Sequence, residues 1–110
     1  MMRASDLVTR IDEMCSRASD ARSGGRLLTE MEALLAEGYA EALASEARSR
    51  RLAQRLEQLV ESVDQAGAAV ELRRIVLEKR RLDDEVAVLR GRLSVMREEF
   101  VRLRARARSG

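Results

Sequence analysis

The sequence has no histidine, no proline and no tryptophan, and only one cysteine, one phenylalanine and one tyrosine. Each absence excludes something. Without histidine there is no Ser-His-Asp or Cys-His nucleophilic site, no Glu-x-x-His di-metal site and no histidine-bearing zinc site. The lone Cys15 can build neither a thiolate cluster nor an internal disulfide, which points to a reducing compartment. Without proline, no position carries the strongest helix breaker. Two aromatics are few for a globule of this length, because rings normally bury much of the core area. Ser23-Gly24-Gly25 is the only glycine pair, and it lacks the downstream Gly-Lys-Ser/Thr of a phosphate loop. No run approaches the roughly 18 apolar residues of a membrane span, and the N-terminal stretch lacks the apolar centre of a signal peptide. The expectation is a soluble, cytoplasmic, non-enzymatic protein with no cofactor, no metal, no membrane contact and no small-molecule ligand.

What remains is rich in Leu, Ala, Glu and Arg, with charged residues at 36 %. That mixture belongs to long helices and coiled coils. Basic and acidic residues number 21 and 19, a net charge of +2, so no global field draws in polyanions. A chain of 110 residues is read as one domain.

The pattern is clearest in the last third. Leu72, Ile75, Lys79, Leu82, Val86, Leu89, Leu93, Met96, Phe100, Leu103 and Ala107 follow one another at alternating steps of three and four, and all but Lys79 are apolar. This is an a/d heptad seam, the mark of a helix committed to a helical partner. A helix is expected over about 68–108. A second is expected over about 26–64, with the seam Leu28, Met31, Leu35, Gly38, Ala42, Ser45, Ser49, Leu52, Leu56, Leu59 and Val63. Its middle is small, so another helix can approach closely at Gly38 and Ala42. A third, short helix is expected over about 5–22, with Ser5 as N-cap and the apolar set Leu7, Val8, Ile11, Met14, Cys15 and Ala18. Cys15 is expected to be buried and inert.

Between the two long helices stands Asp64-Gln65-Ala66-Gly67, a weak turn signal that leaves a continuous helix possible. Two features favour folding back. The heptad phase breaks across the segment. Folding at Ala66 also sets opposite charges side by side: Glu30, Glu32, Glu37, Glu41 and Glu46 against Arg90, Arg92, Arg97, Arg102 and Arg104, then Arg48, Arg50, Arg51 and Arg55 against Glu85, Asp84, Asp83 and Glu78, with Glu57 and Glu61 beside Arg73 and Arg74. Flanking charges of this kind select orientation in coiled coils. The expected fold is all-α: a long antiparallel helical hairpin preceded by a short N-terminal helix.

Such a hairpin leaves Val70, Val76, Leu77, Val88, Val95 and Val101 off the seam. The short helix can cover less than half of it. Val88 and Val95 are therefore candidates for an oligomer face, most simply in a homodimer whose hairpins form a four-helix bundle. Protein–protein association as a scaffold or adaptor, with itself or with a helical protein, is the expected function. In size and composition the chain resembles small helical secretion chaperones, which would imply holding a helical client. The alternative is a nucleic-acid-binding or nucleoid-associated role through Arg102, Arg104, Arg106 and Arg108. Against it, cations are favoured at any helix C-terminus, alternation spreads these four around the helix, and no aromatic is interleaved for base stacking.

Overall fold

The computed structural model describes residues 3–20, 25–62, 64–65 and 67–109. Three helices account for nearly all of them: α1 (Ala4–Asp20), α2 (Gly25–Glu61) and α3 (Ala68–Ser109). The body is a rod of 68 × 20 × 18 Å. Its long dimension is that of α3, whose 42 residues span about 63 Å at 1.5 Å per residue.

Chain reversal between α2 and α3 is set by Gly67, which has φ of +85°, a conformation that costs a residue with a Cβ much more than glycine. Successive turns carry the backbone round: the Ser62 amide donates to the Leu59 carbonyl, the Gln65 amide to Ser62 and the Ala68 amide to Gln65. α2 and α3 are thus an antiparallel hairpin and not one helix. The expected seam position Val63 and fold point Ala66 lie outside the described residues. So does the segment 21–24, including the end of the first expected helix.

The seams meet as an antiparallel pair. On α3, Ile75, Leu82, Val86, Leu89, Leu93, Met96 and Leu103 are buried, Leu72, Lys79 and Phe100 are half-buried, and Ala107 is exposed. On α2, Met31, Leu35, Gly38, Ala42, Ser45, Ser49 and Leu59 are buried, with Leu28, Leu52 and Leu56 half-buried. The periodicity missed a second buried line on α2, formed by Leu27, Leu34 and Glu41. It exists because α1 lies in the groove between the long helices at the end remote from the turn, and needs a face of its own to pack on.

α1 runs antiparallel to α2 and parallel to α3. Arg10 and Arg17 reach Glu37 and Glu30 on α2 at 3.0 and 3.2 Å, while Asp12 reaches Arg92 on α3 at 3.2 Å. Leu7, Ile11, Met14 and Ala18 enter the main core with Leu34, Leu89, Met96 and Leu103. A smaller core near the turn joins Leu59, Ala68 and Ile75. α1 begins one residue before the expected cap: the Leu7 amide donates to the Arg3 carbonyl at 3.0 Å, so Arg3 occupies the cap position and Ser5 lies inside the helix. Among the described residues no helix is long and apolar enough to cross a membrane.

Candidate interaction surface

Close approach of the hairpin helices occurs at the small-residue notch. A Cβ added to Gly38 would overlap Leu93 Cδ2 and stand 3.2 Å from Leu93 Cγ. Leu93 is fully buried, so its side chain fills the space that Gly38 leaves. Ala42 is fully buried one turn on. The notch is therefore an internal packing device that seats Leu93.

Polar residues close the next stretch. Ser49 donates to Asp83 Oδ1 at 2.6 Å and Lys79 donates to Asp83 Oδ2 at 2.8 Å. These two hydrogen bonds, Lys79 first, hold the Asp83 carboxyl below its ordinary range. Lys79, the one charge in the α3 seam, thus has its partner one turn along the same helix. Glu46 accepts from the Arg90 guanidinium through both oxygens. That bidentate contact lowers the Glu46 pKa and raises that of Arg90. Glu41, only 8 % exposed, accepts from Ser45 at 3.0 Å and Arg48 at 3.1 Å. Among the described residues no buried side-chain polar atom lacks a partner.

The expected cross-hairpin charge ladder is realised only in part. Glu46–Arg90 joins α2 to α3 as expected, while Arg55 reaches α3 at Glu71 and not at the expected Glu78. Elsewhere the charges turn to α1 or to their own helix: Glu30, Glu37 and Arg92 pair with α1, Arg48 with Glu41, Arg102 with Glu99 and Arg81 with Glu85. The reason is geometric. In the three-helix section the inner flanks that carry Glu30, Glu37 and Arg92 face α1 and not the opposing long helix. The other diverted charges find a partner one or two turns along their own helix.

Cys15 is half-buried rather than buried. Desolvation, then the Asp12 and Glu99 carboxylates, push its thiol pKa up, which disfavours the reactive thiolate. Beyond the N-terminal end of α1, the hairpin groove continues as a cleft of about 550 Å³ edged by Arg3, Arg48, Arg51, Arg81, Glu41, Glu78 and Glu85. Both signs of charge line it, so it presents no single-sign cradle. Asp83, Asp84 and Glu85 do not converge: Asp83 faces Ser49 and Lys79, and Glu85 pairs with Arg81.

The outer face of α3 remains open. Val70, Leu77, Val88, Val95 and Val101 are exposed, as is Leu43 on α2. α1 covers the Leu89 and Met96 side of α3 and leaves Val88 and Val95 bare. Between Val8 of α1 and Val88 lies a shallow apolar groove of about 300 Å³, also lined by Ala4, Ser5, Asp84 and Glu85. Leu77 and Val70 extend this surface towards the turn. Arg102, Arg104, Arg106 and Arg108 are all exposed on the last turns of α3, and the two-residue step places successive members on opposite sides. No family model, no curated protein and no solved structure matches this chain.

Proposed function

We propose that the chain is a non-enzymatic interaction module, a scaffold or adaptor that presents the outer face of α3 to another helix. One observation carries the reading. α3 satisfies α1 and α2 with one side and still exposes four large apolar residues, Val70, Leu77, Val88 and Val95, on another. Exposed apolar residues aligned on a rigid helix are the form of a helix-docking surface, and isolated ones are not. The lone Cys15 supports a reducing, cytoplasmic setting. Holding a helical client, as a small chaperone does, uses the same surface.

The test is site-specific photo-cross-linking in the source cells from position 95, on the exposed face, and from position 89, which is fully buried. Cross-links from position 95 into helical segments of one or a few proteins, lost on Val88→Asp, are expected. Equal cross-linking from position 89, or none from position 95, would sink the proposal.

A further inference from the structure

Four of the five large exposed apolar residues of α3 follow a rule, and Val101, 57 % exposed, lies on another side of the helix. Val70, Leu77, Val88 and Val95, all 52–72 % exposed, are separated by steps of seven, eleven and seven residues. On an α-helix seven residues fall about 20° short of two turns, and eleven exceed three turns by about 20°. The four therefore share one line along α3. Their spacing also reads the same in both directions, with its midpoint between Leu82 and Asp83.

A second α3 laid antiparallel about a two-fold axis at that midpoint brings Val70 against the partner's Val95. It also brings Leu77 against the partner's Val88. Two-fold symmetry repeats both contacts. Charge inverts at the same point: Arg80 and Arg81 precede it, Asp84 and Glu85 follow it. In an antiparallel pair each flank meets the same flank of its neighbour, so Arg81 faces the partner's Glu85 and Arg80 faces the partner's Asp84. Each contact occurs twice. A parallel pairing in register sets these charges against their own kind, which opposes association. Within one chain the groups are only loosely engaged: Arg81 and Glu85 stand 3.9 Å apart, and Arg80 and Asp84 are exposed. Three contacts run the other way. Arg74 lies beside the partner's Arg92, and Arg81 and Asp84 each lie about 4.5 Å along the axis from their own copies. Arg92 already pairs with Asp12 at 3.2 Å, and Arg81 and Asp84 each have the opposite charge of the partner nearer along the axis than their own copy. The groove between Val8 and Val88 gives the incoming helix a second wall.

We infer that the occupant of this face is a second copy of the chain, its α3 antiparallel to the first and centred on Leu82–Asp83. The inference rests on reading the protein as an interaction module and names the first partner.

Light scattering on a size column, from micromolar to near-millimolar chain, should give twice 12.4 kDa. Leu77→Glu with Val88→Glu should halve that mass with helicity kept. Orientation is read by disulfides in a Cys15→Ser background. Val70→Cys mixed with Val95→Cys should cross-link on oxidation, and neither should do so alone, because like positions lie about 38 Å apart along the axis at 1.5 Å per residue. If the glutamate variant fails to fold, the exposed charges supply the same answer. Arg80→Asp and Asp84→Arg should each be monomeric alone and dimeric when mixed.

A mass of 12.4 kDa at every concentration, a Val70→Cys variant that links to itself, or charge variants that ignore mixing would overturn the inference. A monomer that still cross-links to client helices from position 95 would remove this inference alone. A dimer with no client would remove the adaptor reading and leave the dimer standing.

Discussion

Two glycines in the long helices give opposite predictions from the same substitution. Gly91 lies on the exposed side of α3, and a Cβ added there meets nothing within 4 Å. Gly91→Ala should stabilise by about 0.8–1 kcal/mol, the difference in helix propensity. Gly38 gains the same propensity term, but its new Cβ overlaps Leu93 Cδ2 and crowds Leu93 Cγ at 3.2 Å and Cδ1 at 3.3 Å. Leu93 is fully buried and has little room to yield. Overpacking of this kind costs about 1–3 kcal/mol, so Gly38→Ala should fall between neutral and about 2 kcal/mol destabilising. Gly38→Leu should fall further. The two alanine variants should then differ by about 1–3 kcal/mol. In a small domain each kcal/mol moves the melting temperature by roughly 4–8 °C. Urea unfolding followed by far-UV circular dichroism, at one fixed chain concentration, reads the difference. The assignment to Leu93 is checked in a Leu93→Ala background, itself about 2–5 kcal/mol less stable. There Gly38→Ala should become favourable, because the clash has gone and the propensity gain remains. If Gly38→Ala stabilises the parent as much as Gly91→Ala does, or behaves identically in both backgrounds, the close approach at Gly38 is not real.

Further outcomes are expected. Arg48→Met should cost about 1–3 kcal/mol in urea unfolding, because buried Glu41 loses a charged donor and keeps only Ser45. Ile11→Ala should cost about 2–5 kcal/mol, since Ile11 is fully buried where α1 enters the groove; a surface-like loss would mean that α1 is not docked. Asp83 and Glu46 have folded pKa values below their unfolded ones. Their contribution is therefore complete above the unfolded values of about 3.9 and 4.3 and is lost as pH falls through the folded values. The urea midpoint should drop on acidification below about pH 4.3, and less steeply in Asp83→Asn with Glu46→Gln. Replacing Arg102, Arg104, Arg106 and Arg108 by Gln should leave cross-linking from position 95 unchanged; loss of it would move the function to the basic end.

The sequence alone determined the helices and favoured the hairpin, but the reversal at Gly67, with its φ of +85°, was decided by the structure. A period near 3.5 over residues 72–107, the lack of proline, and opposed charge blocks are local or pairwise signals, and each survives without knowledge of the third dimension. Close approach at Gly38 was legible from the run of small residues on the seam. Gly91, mid-helix with open space around it, shows that a glycine alone does not mark such a point, and the Leu93 contact decided it. The tertiary structure decided what a heptad seam cannot express. A second buried line, Leu27, Leu34 and Glu41 on α2, exists only because α1 lies in the groove, and its place there also redirected Glu30, Glu37 and Arg92 away from the ladder expected across the hairpin. Neither a helix's neighbours nor its unclaimed side can be read from its own periodicity. The alignment of Val70 and Leu77 with Val88 and Val95 was written in the spacing all along. It gained meaning only once α1 and α2 were seen to cover the other sides of α3, because apolar residues mark an interface only where nothing in the same chain has already buried them.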